Sequence, residues 1–150
     1  MKLYCDMDGV LVDFVGGVRK HYPQMKDYEA DEILWPIVKE IPSFWESLEW
    51  TNDGRLLWNF IRRYDPVILS APTKHDVRSF SGKMHWIQQN LDMDTHWVFT
   101  KAKHKSLIAE PGRILIDDFE PNIRKWKEAG GLGILHKNAE ETIRILEVLL

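Results

Sequence analysis

The chain has 150 residues, of which 44% are hydrophobic and 29% are charged, and this fits one folded domain with room for a small insertion. Its net charge of −3 leaves no basic excess, so tight binding to a nucleic-acid backbone is not expected. No apolar run approaches the roughly 20 residues that a membrane span requires, and the N-terminus lacks a signal-peptide layout, so no membrane partner is expected.

The first predicted strand, residues 2–5, is a short apolar run that ends just before two acids. It contains Cys5, the only cysteine of the chain, which cannot form an internal disulfide. A buried, unpaired thiol is typical of a reducing compartment, and we therefore expect a cytoplasmic protein.

A long aromatic segment separates this strand from the next one. It is too long for a plain crossover and too rich in aromatic side chains for an unstructured loop. We predict that residues 14–64 form a small helical cap, inserted after the first strand and packed over the carboxyl end of the sheet. The core would then comprise residues 1–13 and 65–150, and residues 54–64 would form the helix that returns to it.

Strands and helices alternate regularly in the remainder of the chain. The predicted strands lie at 67–69, 97–99, 113–116 and 131–135. The predicted helices lie at 75–90, 102–109, 120–129 and 139–150. This alternation predicts a parallel sheet covered by helices on both faces, which is an α/β fold with a Rossmann-like three-layer core.

Polar side chains occur where three of these strands end. Asp6 and Asp8 follow the first strand, Ser70 follows the second, and Asp117 and Asp118 follow the fourth. The first two acids alone could equally be capping residues of a strand-to-helix turn. Because the carboxyl ends of parallel strands share one edge, all five side chains are expected to converge there. Such a cluster favours Mg²⁺, with one carboxylate as nucleophile and its neighbour as general acid/base.

A phosphate bound at this edge would need positive partners besides the metal. Lys83 lies on the predicted helix 75–90, 13 residues after Ser70, and is the first candidate. Lys101, Lys103 and Lys105 follow the third predicted strand. Each could be an ordinary surface charge, but we expect one of the three to face the site.

The ordered set of motifs resembles the haloacid dehalogenase (HAD) superfamily of phosphohydrolases. The run of residues 6–11 is similar to the first motif, and Ser70 matches the second-motif hydroxyl. Lys83 can serve as the third-motif lysine, and Asp117-Asp118 matches the acidic fourth motif. The segments 6–14, 42–49, 82–87, 100–103 and 116–118 are similar to the 5'(3')-deoxyribonucleotidases in particular.

This resemblance implies a role for each candidate residue. Asp6 would be the nucleophile that forms an aspartyl-phosphate, and Asp8 would be the general acid/base. The implied Mg²⁺ ligands are Asp6, Asp8 through its backbone carbonyl, Asp117 and the supporting Asp118. The implied phosphate-binding residues are Ser70, Lys83 and Lys103.

The predicted function is therefore a Mg²⁺-dependent phosphomonoesterase that hydrolyses nucleoside monophosphates. Lys101, Phe44 and Trp45 are candidates for substrate binding, although the two aromatic residues could instead anchor the cap in the core. Ala71 and Ala102 depart from the nucleotidase pattern, which leaves other small phosphate esters or a nucleic-acid 3'-phosphate end as alternative substrates. An inactive domain that only binds phosphorylated ligands is the non-enzymatic alternative.

Overall fold

Five parallel strands form one sheet in the computed structural model, which describes residues 1–27 and 29–150. Among these residues the strands are β1 (Lys2–Cys5), β2 (Val67–Ser70), β3 (His96–Phe99), β4 (Arg113–Asp117) and β5 (Leu132–Leu135). Their order across the sheet is β3-β2-β1-β4-β5, and every neighbouring pair is parallel. The central place of β1 puts the residues that follow it between the ends of β2 and β4.

Helices cover both faces of this sheet. They are α1 (Phe14–Arg19), α2 (Asp31–Glu40), α3 (Gly54–Ile61), α4 (Arg78–Asn90), α5 (Glu120–Glu128) and α6 (Ala139–Leu149), with 3₁₀ helices at Arg62–Tyr64 and Ala102–Ile108. No helix in the described ranges combines the length and the apolar character needed to cross a membrane.

The strand side chains alternate between two buried clusters. Leu3 and Cys5 of β1 face a large cluster that includes side chains of α3, α4 and α6. Tyr4 points to the opposite face and packs against Trp126 of α5, with the ring centroids 5.5 Å apart. Burial on both sides explains why the strands read as continuous apolar runs, and it confirms the predicted three-layer α/β core.

Helix α4 begins three residues later than the sequence predicts. A carboxylate oxygen of Asp76 accepts the backbone N–H of Arg78 at 3.0 Å, and this turn displaces the helix start. The hydroxyl of Ser79 also accepts the N–H of Thr73 at 3.0 Å, which folds residues 73–77 into a loop. The loop lies directly after Ser70, at the carboxyl end of β2.

The aromatic insertion leaves and rejoins the core at neighbouring points of the backbone. Asp13 N donates to Glu49 O, and Thr51 N donates to Leu11 O, both at 2.9 Å. Helix α3 follows this return and is tied to α6, because the Ala139 N–H donates to the carboxylate of Asp53 at 2.6 Å. Residues 54–64 thus lie in the helical layer beside the sheet. Helices α1 and α2 come earlier in the chain, before the insertion rejoins the core at Thr51. The division into cap and core stays a prediction.

Candidate active site

The ends of β2, β1 and β4 bring Ser70, Asp6 and Asp117 together. The backbone N–H of Asp6 donates to the carbonyl of Ile116 at 2.9 Å, which continues the β1–β4 ladder by one residue. Asp117 is the last residue of β4 and is fully buried, while Asp6 is 8% exposed. The convergence at one sheet edge agrees with the sequence prediction.

A tight turn at Gly9 brings Asp118 against the backbone after β1. The carbonyl of Met7 accepts three N–H groups, those of residues 10, 11 and 12, at 2.9–3.1 Å. Gly9 has a φ of 79°, and a Cβ atom there would overlap the carboxylate of Asp118. Glycine at this position therefore permits both the left-handed turn and the close approach of the acid.

Three carboxylates form a compact acidic group. Asp6, Asp117 and Asp118 each place one oxygen within 4.8 Å of the others. Burial raises the pKa of Asp6 well above its ordinary value, against the opposing charge of Lys105 and with a further contribution from Asp117. Atoms packed around the carboxylate of Asp118, followed by the charge of Asp117, raise the pKa of Asp118 to about 6. Three clustered carboxylates with a single ammonium beside them are an oxygen donor set that fits a hard divalent cation such as Mg²⁺.

The carboxylate of Asp8 belongs to a different group. Its Oδ2 atom lies 2.7 Å from Nζ of Lys83, and the same ammonium donates to Oγ of Ser70 at 3.1 Å. Oδ1 of Asp8 is buried and has no hydrogen-bond partner among the described residues. The side chain of Asp8 thus faces Lys83 and Ser70 and lies outside the acidic group, which leaves only its backbone carbonyl for the predicted ligand role.

Lys105 is the site residue that sequence reasoning did not assign. Its Nζ atom lies 2.9 Å from Oδ1 of Asp6 and 2.9 Å from Oδ2 of Asp117, and the residue is only 2% exposed. Burial alone would lower the pKa of Lys105, but the charges of the two carboxylates outweigh it and raise that pKa above its usual range. The sequence contains one indication of this position. Residues three apart lie on the same side of a 3₁₀ helix, and Ile108, three residues after Lys105, packs against the core.

Lys103 and Lys101 do not reach the acids. Both are exposed, and the 3₁₀ helix that turns Lys105 inward leaves Lys103 on its outer side. The lysine beside Asp6 is therefore Lys105, while phosphate binding by Lys103 and substrate binding by Lys101 stay predictions.

Phe44 and Trp45 are packed into the core. Each is 3% exposed, and Phe44 lies edge-on against both Phe14 and Trp45, with ring centroids 5.6 and 5.2 Å apart. Neither ring offers a free face to a base, so the structure favours the packing alternative over the stacking platform. Trp45 nevertheless lies near the site, because its ring centroid is 5.3 Å from Nζ of Lys83.

The residues of the site differ in their exposure to solvent. Gly9 and Asp118 are exposed, and the side chain of Asp8 is 35% exposed. Ser70 and Lys83 are nearly inaccessible, at 1% and 2%. Ser70 and Lys83 are thus more deeply buried than Asp8 and Asp118.

Replacement of Lys105 is expected to destabilise the fold. We expect Lys105→Met to lower the free energy of unfolding by about 3–5 kcal/mol, because Asp6 and Asp117 lose the cation they share in a buried position. Urea denaturation in the presence of EDTA measures the change without metal. Lys103→Met, an exposed change in the same 3₁₀ helix, is the matched control and should cost less than about 0.5 kcal/mol. Equal stability of the two variants would contradict the structural role of Lys105.

Solved structures of several hydrolases resemble this chain over nearly its full length. A hydrolase from Streptococcus pneumoniae TIGR4 is 12% identical, with a TM-score of 0.55 and 97% of each chain covered. A HAD-superfamily hydrolase from Ehrlichia chaffeensis is 13% identical, with a TM-score of 0.51, and the match covers 99% of this chain and 96% of that one. The chain has the fold of HAD-superfamily hydrolases.

A third similar structure carries a metal. A HAD family enzyme from Bacteroides thetaiotaomicron, solved as a magnesium complex, is 16% identical with a TM-score of 0.53, and 97% of each chain is covered. At these identities the likeness establishes the HAD fold alone. No protein-family model and no curated protein matches the sequence.

Proposed function

We propose that the chain is a Mg²⁺-dependent phosphomonoesterase that hydrolyses nucleoside monophosphates through an aspartyl-phosphate on Asp6. The observation that carries this proposal is the separation of the two aspartates at the end of β1. Asp6 contacts Lys105 within the acidic group, whereas Asp8 contacts Lys83 beside Ser70. Two neighbouring carboxylates with different partners are suited to two different chemical tasks.

In the first step, a carboxylate oxygen of Asp6 attacks the phosphorus atom in line with the ester oxygen. The bond from phosphorus to Asp6 forms as the bond to the ester oxygen breaks. Asp8 in its acid form donates its proton to the departing oxygen, which leaves as a neutral alcohol. Lys83 and Ser70 would bind the phosphoryl oxygens through N–H and O–H donors, and Lys105 would hold Asp6 in place.

In the second step, water hydrolyses the aspartyl-phosphate. Asp8, now a carboxylate, removes a proton from the water as its oxygen attacks phosphorus. The bond to Asp6 breaks, inorganic phosphate is released, and Asp8 has regained its proton. The same residue thus acts as acid and then as base.

Asp6, Asp117 and Asp118 are the residues that would hold Mg²⁺. When bound, the ion would supply positive charge to the phosphoryl oxygens and to the surrounding carboxylates. The three oxygen donors within 4.8 Å of one another support this assignment.

A panel of phosphate esters assayed with Mg²⁺ tests the substrate. The nucleotide assignment is supported by the resemblance of segments 42–49 and 82–87 to the deoxyribonucleotidases. We expect kcat/KM for deoxynucleoside monophosphates to exceed that for sugar phosphates at least tenfold, or about 1.4 kcal/mol. Activity confined to oligonucleotide 3'-phosphates, or binding of phosphate without turnover of any ester, would replace the proposal by one of the alternatives.

Removal of metal is expected to abolish turnover. EDTA should reduce phosphate release to background, and excess Mg²⁺ should restore it, because the acidic group would otherwise repel the phosphoryl oxygens. Asp118→Asn should raise the Mg²⁺ concentration needed for half-maximal activity, since it removes one of three charged donors. Full turnover in EDTA would refute the metal assignment.

A further inference from the structure

Helix α4 carries Lys83 and also holds part of the aromatic insertion. The guanidinium of Arg78 donates to the carbonyl of Ile41 at 2.9 Å. The indole of Trp86 donates to the carbonyl of Leu48 at 2.8 Å. Both bonds start from α4, so this part of the insertion is fixed to the helix that supplies the lysine of the site.

Trp45 lies in the sequence between Ile41 and Leu48, the two residues bonded to α4, and its indole nitrogen makes a hydrogen bond of its own. Its Nε1–H donates to Oδ2 of Asp76 at 2.9 Å, and Asp76 is 4% exposed. Nη2 and Nε of Arg78 donate to the two oxygens of the same carboxylate at 2.8 and 3.0 Å. The bonds from Arg78 first, and from Trp45 with them, lower the pKa of Asp76 to about 2 against the opposing effect of burial. The indole is therefore held by a charged acceptor with a fixed position of its own.

The face of this indole lies against Lys83. The ring centroid is 5.3 Å from Nζ, within the range of a cation–π interaction, and the lysine is 2% exposed. The neighbouring Gly82 permits the approach, because a Cβ atom there would overlap Cβ of Trp45. Asp8 and Ser70 bind the same ammonium, so a carboxylate, a hydroxyl and an aromatic ring surround it.

We propose that Trp45, held by Asp76, is a positioning residue for Lys83. The indole keeps a long and otherwise flexible side chain in the rotamer that presents its ammonium beside Ser70, where the phosphoryl oxygens of the substrate would bind. The role needs no exposed ring face, which agrees with the burial of Trp45. The inference rests on the proposed phosphatase function and adds Trp45, which would act by positioning Lys83.

The affinity for inorganic phosphate in the presence of Mg²⁺ tests this role apart from turnover. Trp45→Leu is expected to raise the phosphate dissociation constant about tenfold, as measured by isothermal titration calorimetry, because the cation–π contact is lost. Trp45→Phe, which keeps an aromatic face, should restore most of that affinity. Asp76→Asn, a milder change that keeps the size of the side chain, should raise the constant about threefold.

Trp58→Leu is the matched control for lost packing. Trp58 is a buried tryptophan of α3 in the same hydrophobic cluster. Among the described residues, Lys83 makes its hydrogen bonds to Asp8 and Ser70 and its cation–π contact to Trp45. The control should lower the free energy of unfolding as much as Trp45→Leu does and leave the phosphate dissociation constant within twofold of wild type.

Two results would overturn the inference in different ways. Equal phosphate affinity in wild type, Asp76→Asn and every folded Trp45 variant would refute the positioning role while leaving the phosphatase proposal intact. A wild-type protein that neither binds phosphate nor hydrolyses esters would refute both. Asp76→Asn keeps the test decisive even where Trp45→Leu fails to fold.

Discussion

Asp6→Asn is expected to reduce turnover of phosphate esters by roughly 10⁴-fold or more, the size of loss typical when an enzymatic nucleophile is removed. The amide has the shape of the carboxylate, and its oxygen can still accept a hydrogen bond from Lys105, which lies 2.9 Å from Asp6 in the wild type. It cannot attack phosphorus, so no aspartyl-phosphate forms. The measurement is release of inorganic phosphate under saturating Mg²⁺.

Asp13→Asn is the matched control for this change. Asp13 lies on the same connection after β1, but its carboxylate caps α1 by accepting the N–H of Gly16 at 2.9 Å. Asparagine caps helices about as well as aspartate, so activity and stability should stay close to wild type. Phosphate release by Asp6→Asn at a rate near that of the control would exclude the nucleophile assignment, and circular dichroism verifies that both variants are folded.

Asp8→Asn is expected to give a loss that depends on the leaving group. Protonation of an alkyl oxygen requires an acid, so the first turnover of a nucleoside monophosphate should slow by about 10²–10⁴-fold. A nitrophenolate leaves without a proton, so the first turnover of nitrophenyl phosphate should be nearly unchanged. Because Asp8 is also the proposed base, the later turnovers should be slow for both esters. Rapid-quench and stopped-flow measurements of the first turnover separate these phases.

The same two esters with Asp6→Asn provide the comparison. Loss of the nucleophile should affect both substrates equally, whereas loss of the acid should not. An equal loss in the first turnover of Asp8→Asn would assign that residue a role other than proton donation.

The sequence predicts the positions of the site residues best where they lie at the ends of strands. Asp6, Ser70 and Asp117 follow apolar runs, and the parallel order of the strands fixes their meeting at one edge. Lys105 was harder to assign, because it sits in a 3₁₀ helix, whose three-residue period differs from the α-helical period used to read the sequence. Lys103 is also a lysine of this helix, and the two differ only in the side of the helix on which they lie: Lys105 is buried and Lys103 is exposed.

The aromatic insertion was predictable in position but not in detail. Tryptophan and phenylalanine pack into cores and also bind ligands, so composition alone left both roles open for Trp45. The burial of Trp45 among other aromatic rings favours packing, and its ring nitrogen is hydrogen-bonded to Asp76, a residue 31 positions away along the chain. The delayed start of α4 has a similar origin, since the Asp76 carboxylate competes with the helix for the Arg78 N–H.

The unequal burial of the site residues has a consequence for the order of product release in the proposed mechanism. Asp8 is partly exposed and Asp118 is exposed, whereas Ser70 and Lys83 are buried. With its phosphoryl group bound by Ser70 and Lys83, as proposed, a phosphate ester would keep its alcohol portion on the more exposed side of the site. Under the proposed mechanism the alcohol would diffuse away while the phosphoryl group is still attached to Asp6, and inorganic phosphate would depart last. Inorganic phosphate should then inhibit competitively against the ester, whereas the released alcohol should give noncompetitive inhibition.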